Sequence, residues 1–185
     1  MSRKNLRAWK TLSTHIILDH GKFLKVEEHQ VELPDGRVIP DWPWVIIPSA
    51  VIVLPRLVNG KFLVFRQTKY AIEGESLVPV GGMLEPDEEP LTAAKRELLE
   101  EMGCEAAIWI PLGSYVLDPN RGVASMHLFL ALNASKVSEP DSDDLEDQEL
   151  LLLGREELER ALTAGEFKLL AWAAVVSLAL NQLKE

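Results

Sequence analysis

The sequence predicts an α/β protein, a mixed β-sheet between helices, with a small antiparallel β element at the N-terminal end. Three observations carry that expectation. Short apolar runs separated by turn residues fill the first half of the chain. One helix with stop and start signals at both ends interrupts the strands between Pro90 and Gly103. The chain then returns to strands and closes on two helical segments, the second strongly apolar.

Taken in order, residues 1–14 read as loosely ordered. Thr14–Asp19 and Phe23–Leu33 alternate as strands do, with His20-Gly21 as the turn between them. Pro34-Asp35-Gly36 is a second turn, in which proline presets φ and glycine admits the positive value that follows. The first forty residues therefore read as a small sheet, and the expected division is a β-rich arm over 1–43 and a main domain over 44–185. Trp42 and Trp44 flank Pro43. They are either a stacking surface for a flat base or cover for the core or a partner subunit.

Val45–Leu54 reads as one buried strand in which Pro48 marks a bulge or an edge. Asn59-Gly60 is the strongest hairpin signal and leads into Phe62–Gln67. Arg66, at the end of that strand, is a surface charge or a phosphate or sugar contact. Leu77–Val80 is a short strand that delivers Gly81-Gly82 to the helix. After the helix, Ala106–Val116 reads as a strand interrupted by Pro111, followed by the dense loop Asp118–Gly122. Met126–Leu132 is a buried strand whose His127 fits a satisfied core histidine better than a catalyst. Ser135–Glu149 is polar and acidic, Leu150–Leu153 is the last strand, and Arg155–Leu162 and Glu166–Leu183 are helices. The last is short for a membrane span, with Lys168 near its start and Ser177 and Asn181 inside, so it reads as a buried or interface helix.

Composition narrows the function classes. A formal net charge of -10 and a pI near 4.9 argue against a general nucleic-acid surface. A single cysteine leaves no intramolecular disulfide and suits a reducing compartment. The basic N-terminus leads into no signal-peptide pattern, so the expected location is cytoplasmic, with no membrane partner.

The chemistry is concentrated between Gly82 and Cys104. Pro90 suits the first helical turn, and Gly103 a left-handed C-terminal cap. Leu91, Ala94, Leu98 and Met102 form an apolar face, with Arg96, Glu97, Glu100 and Glu101 opposite. Like charges at i,i+3 and i,i+4 cost a few tenths of a kcal/mol per pair, roughly. Such crowding makes sense if a divalent cation sits among the oxygens, and hard oxygen donors suit Mg²⁺ or Mn²⁺. Arg96 can hold one of the carboxylates in place. A plain solvated helix face is the competing reading, but the spacing is too particular for it. Gly82, Glu88, Arg96, Glu97, Glu100, Glu101 and Gly103 fall at the spacing G-x5-E-x7-R-E-U-x-E-E-x-G, with U apolar. Those seven identities would coincide by chance about once in 10⁸ windows or more rarely.

This pattern is the Nudix box, and the chain resembles the Nudix hydrolase family. The resemblance implies a Nudix-type α/β/α sandwich. It implies two or more Mg²⁺ ions, with Mn²⁺ as a substitute, held by Glu97, Glu100, Glu101 and the Gly81 carbonyl. Gly82, Glu88, Arg96 and Gly103 would be structural. Arg66–Ile72, Leu77–Glu88 and Pro119, sixteen residues after Gly103, are similar to the branch that hydrolyses ADP-ribose and other nucleotide-sugars. That branch implies a general base from the late acidic run, matching Asp144 or Glu146. It also implies phosphate contacts from Arg66 and Arg121, and a homodimer paired through the N-terminal sheet. Two stretches depart from the family pattern, Val78–Gly82 and Trp42–Trp44. The alternatives are a Nudix pyrophosphatase acting on nucleoside triphosphates, dinucleoside polyphosphates or coenzyme A, and a non-catalytic nucleotide-sugar sensor.

Overall fold

A computed structural model describes residues 6–141 and 147–183, and the chain divides into two units. The first takes the chain up to Pro48 together with Val116–Ser125. It is built on three antiparallel strands, β1 (Lys10–Asp19), β2 (Lys25–Glu32) and β3 (Val38–Ile46), in that order. β1 starts earlier than the sequence suggests. Its register with β2, Lys10 opposite Glu32 and Asp19 opposite Lys25, extends order into the stretch expected to be loose. The side chains of β1 are all exposed, so burial gives no alternating pattern to reveal it. The return segment joins this unit by backbone bonds, Val45 N–H to the Arg121 carbonyl and Ile47 N–H to the Val123 carbonyl.

The expected single strand Val45–Leu54 is in fact two. β3 ends at Ile46 and β4 (Ala50–Leu57) begins the other sheet. Pro48, without an N–H, lies in the break, and the two strands serve different units.

The second unit carries a mixed sheet. β5 (Phe62–Thr68), β8 (Cys104–Val116), β9 (Ser125–Lys136) and β10 (Gln148–Leu153) join β4 in the order β10-β5-β4-β9-β8. β4 and β9 run parallel, while β5 is antiparallel to both β4 and β10. Two short strands, β6 (Glu75–Val78) and β7 (Val80–Met83), pair with β5 and β4 respectively. Val51, Ile52, Val53 and Leu54 of β4 are all buried, so both faces of the central strand are covered. Helix α1 (Pro90–Met102) packs on β4 and β7. Helix α3 (Leu170–Gln182) packs on β4 and on α2 (Arg155–Thr163). Pro111 does not interrupt β8, because an edge strand can spare a ladder N–H.

The last helix begins later than its apolar run. Residues 166–168 instead dock on β6, through Leu77 N–H to the Glu166 carbonyl (2.9 Å) and Lys168 N–H to Ser76 Oγ (3.1 Å). Among the described residues no helix is long and apolar enough to cross a membrane.

α1 ends as its sequence demands. Gly103 has φ 62° and returns its N–H to the Leu99 carbonyl. A β-carbon there would meet the Ser138 carbonyl oxygen at 2.2 Å, whereas one at Gly165 (φ 74°) would meet nothing within 4 Å. Gly165→Ala should therefore cost only the left-handed strain, about 1–2 kcal/mol. Gly103→Ala should cost clearly more. Urea unfolding of both variants, with unchanged m-values, measures the difference.

Candidate active site

The strand–turn–helix from Val80 to Gly103 sets the site. Gly81 and Gly82 lie in β7, opposite Ile52 and Val51 of β4. A β-carbon on Gly81 would be 2.2 Å from the Val51 carbonyl oxygen, so only glycine lets the two strands close up here. A β-carbon on Gly82 would be 2.1 Å from Oε1 of Glu97. The missing side chain of Gly82 is the space the Glu97 carboxylate occupies.

Arg96 ties the segment together. Its Nε and Nη2 donate to the two oxygens of Glu88, each at 3.0 Å. Nη1 donates to Glu97 Oε1 (2.7 Å) and Glu100 Oε2 (3.0 Å), and Nη2 also reaches the Met83 carbonyl at 3.2 Å. Glu88 Oε2 in turn accepts the Glu85 N–H at 3.0 Å, which closes the loop ahead of the helix. Arg96 thus holds three carboxylates where the sequence suggested one. Glu88 is gripped through both of its oxygens, and the guanidinium bonds hold its carboxyl below the usual carboxylate range.

Glu97 departs from the expected helix pattern. It is buried beside Ala93, Ala94, Leu98 and Met102, while Leu91, expected on the apolar face, is 40% exposed. Burial pushes the Glu97 carboxyl up, against the opposing pull of Arg96. Glu100 is half-exposed.

Glu101 lines a cleft of about 180 Å³, together with Gly81, Gly82, Gln67, Lys69 and Trp172. Gln67 and Lys69 fall in the run that resembles the nucleotide-sugar branch, though without an assigned role, and no motif singles out Trp172. Alternation along β5 places Phe65 and Gln67 on one face, and Lys69 follows just past the strand's end at Thr68. Trp172 arrives from α3 and only the tertiary fold brings it in.

The donor set suits a hard divalent cation. Glu97, Glu100, Glu101 and the Gly81 carbonyl offer only oxygen, and Arg96 engages one oxygen each of Glu97 and Glu100. Among the described residues no three acidic, histidine or cysteine side chains converge into a ready-made cage. Mg²⁺ does not need one, since it commonly takes one or two carboxylates and completes its shell with water and substrate phosphate.

The remaining candidates are more dispersed. Arg66, at the end of β5, pairs with Glu149 and with Glu75 (3.8 Å). Trp42, Trp44 and Arg121 belong to the first unit. There Trp42 donates to the Asn120 carbonyl at 2.7 Å and meets Trp9 edge-on. Trp44 stacks on His29 with ring centroids 4.9 Å apart, and its ring fills the space beside Gly122. Arg121 pairs with Asp118 at 2.7 Å. Both indoles thus have partners within their own unit. His127 bonds Ser114 through Nδ1 at 2.7 Å. Asp144 and Glu146 lie outside the described residues. The start of their acidic run is anchored on the helix, by Asp141 N–H to the Glu100 carbonyl (2.8 Å) and Val137 N–H to the Gly103 carbonyl (2.8 Å).

The comparisons with known proteins bear on the family and the fold. The NUDIX domain model matches residues 47–173, and the model for the nucleoside diphosphate sugar hydrolase N-terminal domain matches residues 9–45. The chain is 31% identical over 157 residues to an ADP-ribose pyrophosphatase of Bacillus subtilis (strain 168), covering 85% of this chain and 83% of that protein. It is 33% identical over 129 residues to a methanol dehydrogenase activator of Bacillus methanolicus, covering 69% and 68%. A solved structure described as an ADP compounds hydrolase superposes with a TM-score of 0.75 at 20% identity, over 98% of this chain and 97% of that one, a likeness of fold. With its box intact from Gly82 to Gly103 and both domain models matched, the chain is a member of the Nudix hydrolase family.

Proposed function

We propose that this protein hydrolyses the diphosphate linkage of a nucleoside diphosphate joined to a sugar, with Mg²⁺ as cofactor. ADP-ribose or a related nucleotide-sugar is the substrate, and the products are a nucleoside monophosphate and a sugar phosphate. The observation that carries this reading is the Arg96 hub, which fixes the acidic face of α1 while Glu101 and Gly81 line the adjoining cleft. The similarity to a protein named for ADP-ribose supports the substrate class.

Glu97, Glu100, Glu101 and the Gly81 carbonyl would hold two or more ions. When bound, such ions neutralise the diphosphate and polarise its phosphorus–oxygen bonds. Water adds at one phosphorus, the bridging P–O bond breaks, and the departing phosphate keeps the bond's electron pair. The proton of the water passes to a carboxylate of the late acidic run, Asp144 or Glu146, and Glu146 has the longer reach. Arg66 would exchange its exposed carboxylate partners for phosphate oxygens. That exchange is cheap, because exposed ion pairs contribute roughly 0–1 kcal/mol. Arg121 and the indoles of Trp42 and Trp44 are proposed as further substrate contacts on residue type. A homodimer paired through the N-terminal sheet is supported by β1, whose Ile16 and Ile17 are 51% and 59% exposed.

Glu101→Gln is expected to leave the unfolding midpoint unchanged and lower Mg²⁺-dependent turnover of ADP-ribose at least ~100-fold; near-normal turnover would overturn the metal assignment. Tight nucleotide binding by the wild type without turnover under Mg²⁺ or Mn²⁺ would instead identify a sensor. Single changes of Asp144→Asn and Glu146→Gln separate the base. One of them should lose ~100-fold in kcat, and equal mild losses would mean that neither serves. Arg96→Gln should cost about 3 kcal/mol of stability at neutral pH, because it strands partly buried carboxylates. Glu88 has a depressed carboxyl in the fold, so its contribution is present at neutral pH and disappears as pH falls through that depressed value. The stability gap between wild type and Arg96→Gln should therefore narrow on acidification, as read from urea unfolding across a pH series.

A further inference from the structure

One residue that lines the cleft beside Glu101 has a buried polar atom that the protein leaves without a partner. Gln67 is 4% exposed, lines the cleft, and its buried Oε1 accepts no hydrogen bond. A buried amide oxygen without a donor is costly, and such atoms in native proteins call for a ligand or water to explain them. Neither strand beside it answers. Ser76, opposite in β6, turns its hydroxyl to the Leu77 and Glu166 carbonyls (both 3.0 Å) and accepts the Lys168 N–H. Gln148, opposite in β10, has a buried Oε1 that is itself unpartnered.

Size and chemistry select what Gln67 meets. At about 180 Å³ the cleft is smaller than the roughly 300–1,000 Å³ that encloses a drug-sized ligand, so it takes one ring of a substrate. With the diphosphate drawn to the cations that Glu101 and the Gly81 carbonyl would hold, the ring that adjoins it in a nucleotide-sugar is a sugar. Phe65 and Trp172 offer apolar walls to the C–H face of such a ring. The amide can turn over and exchange acceptor for donor, and a hydroxyl satisfies either end because it both donates and accepts. An exocyclic base amine satisfies only one.

We propose that Gln67 is a specificity residue that binds a hydroxyl of the non-nucleoside sugar next to the cleaved diphosphate. This rests on the nucleotide-sugar reading and names the group that the site selects. The test compares the full-length wild type with Gln67→Met, which is near in length and lacks the amide. The substrates are ADP-ribose and an ADP alkyl ester in which a plain alkyl chain replaces that sugar. A site built to bond a hydroxyl rejects an analogue without it by about 100-fold or more, so the wild type should prefer ADP-ribose by at least that factor in kcat/KM. Gln67→Met should lose ~100-fold on ADP-ribose and less than tenfold on the ester, which collapses the preference. Equal losses on both substrates, or an unchanged preference, would overturn the proposal. If the wild type cleaves neither compound, the nucleotide-sugar reading fails, and calorimetric titration of ribose 5-phosphate still decides the role of Gln67. Binding to the wild type that weakens at least tenfold in Gln67→Met supports it; equal binding, or none to either, refutes it. Should Gln67→Met not fold, Gln67→Asn withdraws the amide by one methylene and serves in the same comparison.

Discussion

One guanidinium organises the acidic face of this protein. Arg96 donates to Glu88, Glu97, Glu100 and the Met83 carbonyl. Arginine suits this role because its donors lie in a fixed plane and it stays charged when partly buried. The neighbouring carboxylates raise its own pKa further. The bidentate pair with Glu88 spans eight residues of sequence, so it fixes the loop before α1 as firmly as the helix itself. Removing that cation would leave three carboxylates crowded on one turn of helix and loop.

The glycines supply the space that this arrangement needs. Gly81 brings β7 against β4, and Gly82 yields its side-chain volume to the Glu97 carboxylate. Glu97 is therefore a buried charge that Arg96 partners, a situation stable only where further compensation is at hand. The surplus of negative charge that remains on the helix is a fitting environment for a divalent cation. The same logic resolves a paradox of composition, that a chain of net charge -10 should be proposed to bind an anionic substrate.

The box was legible because its constraints are local. Pro90, Gly103 and the i,i+4 spacing of Glu97 and Glu101 each act within a few residues, and α1 runs over the stretch they mark. Strand boundaries were less legible. Val45–Leu54 is a continuous apolar run, yet it serves two units, and nothing in its hydropathy announces the break beyond Pro48. The run from Glu166 is apolar enough for helix, but its first residues are captured by the edge of β6. Glu97 reads as a solvent-facing carboxylate by spacing and is buried in fact, because the glycine that makes room for it lies on a different element.

The sequence by itself determined the family box, the helix that carries it, and the chemistry of its oxygen donors, since spacing along one helix fixes which side chains share a face. Tertiary structure decided that Arg96 of the helix also grips Glu88 of the preceding loop, and that Gln67, Lys69 and Trp172 join Glu101 around one cleft. The cleft residues come from β5 and the residue just past it, from α1 and from α3, and only close packing of the sheet against its helices converts distance along the chain into contact in space.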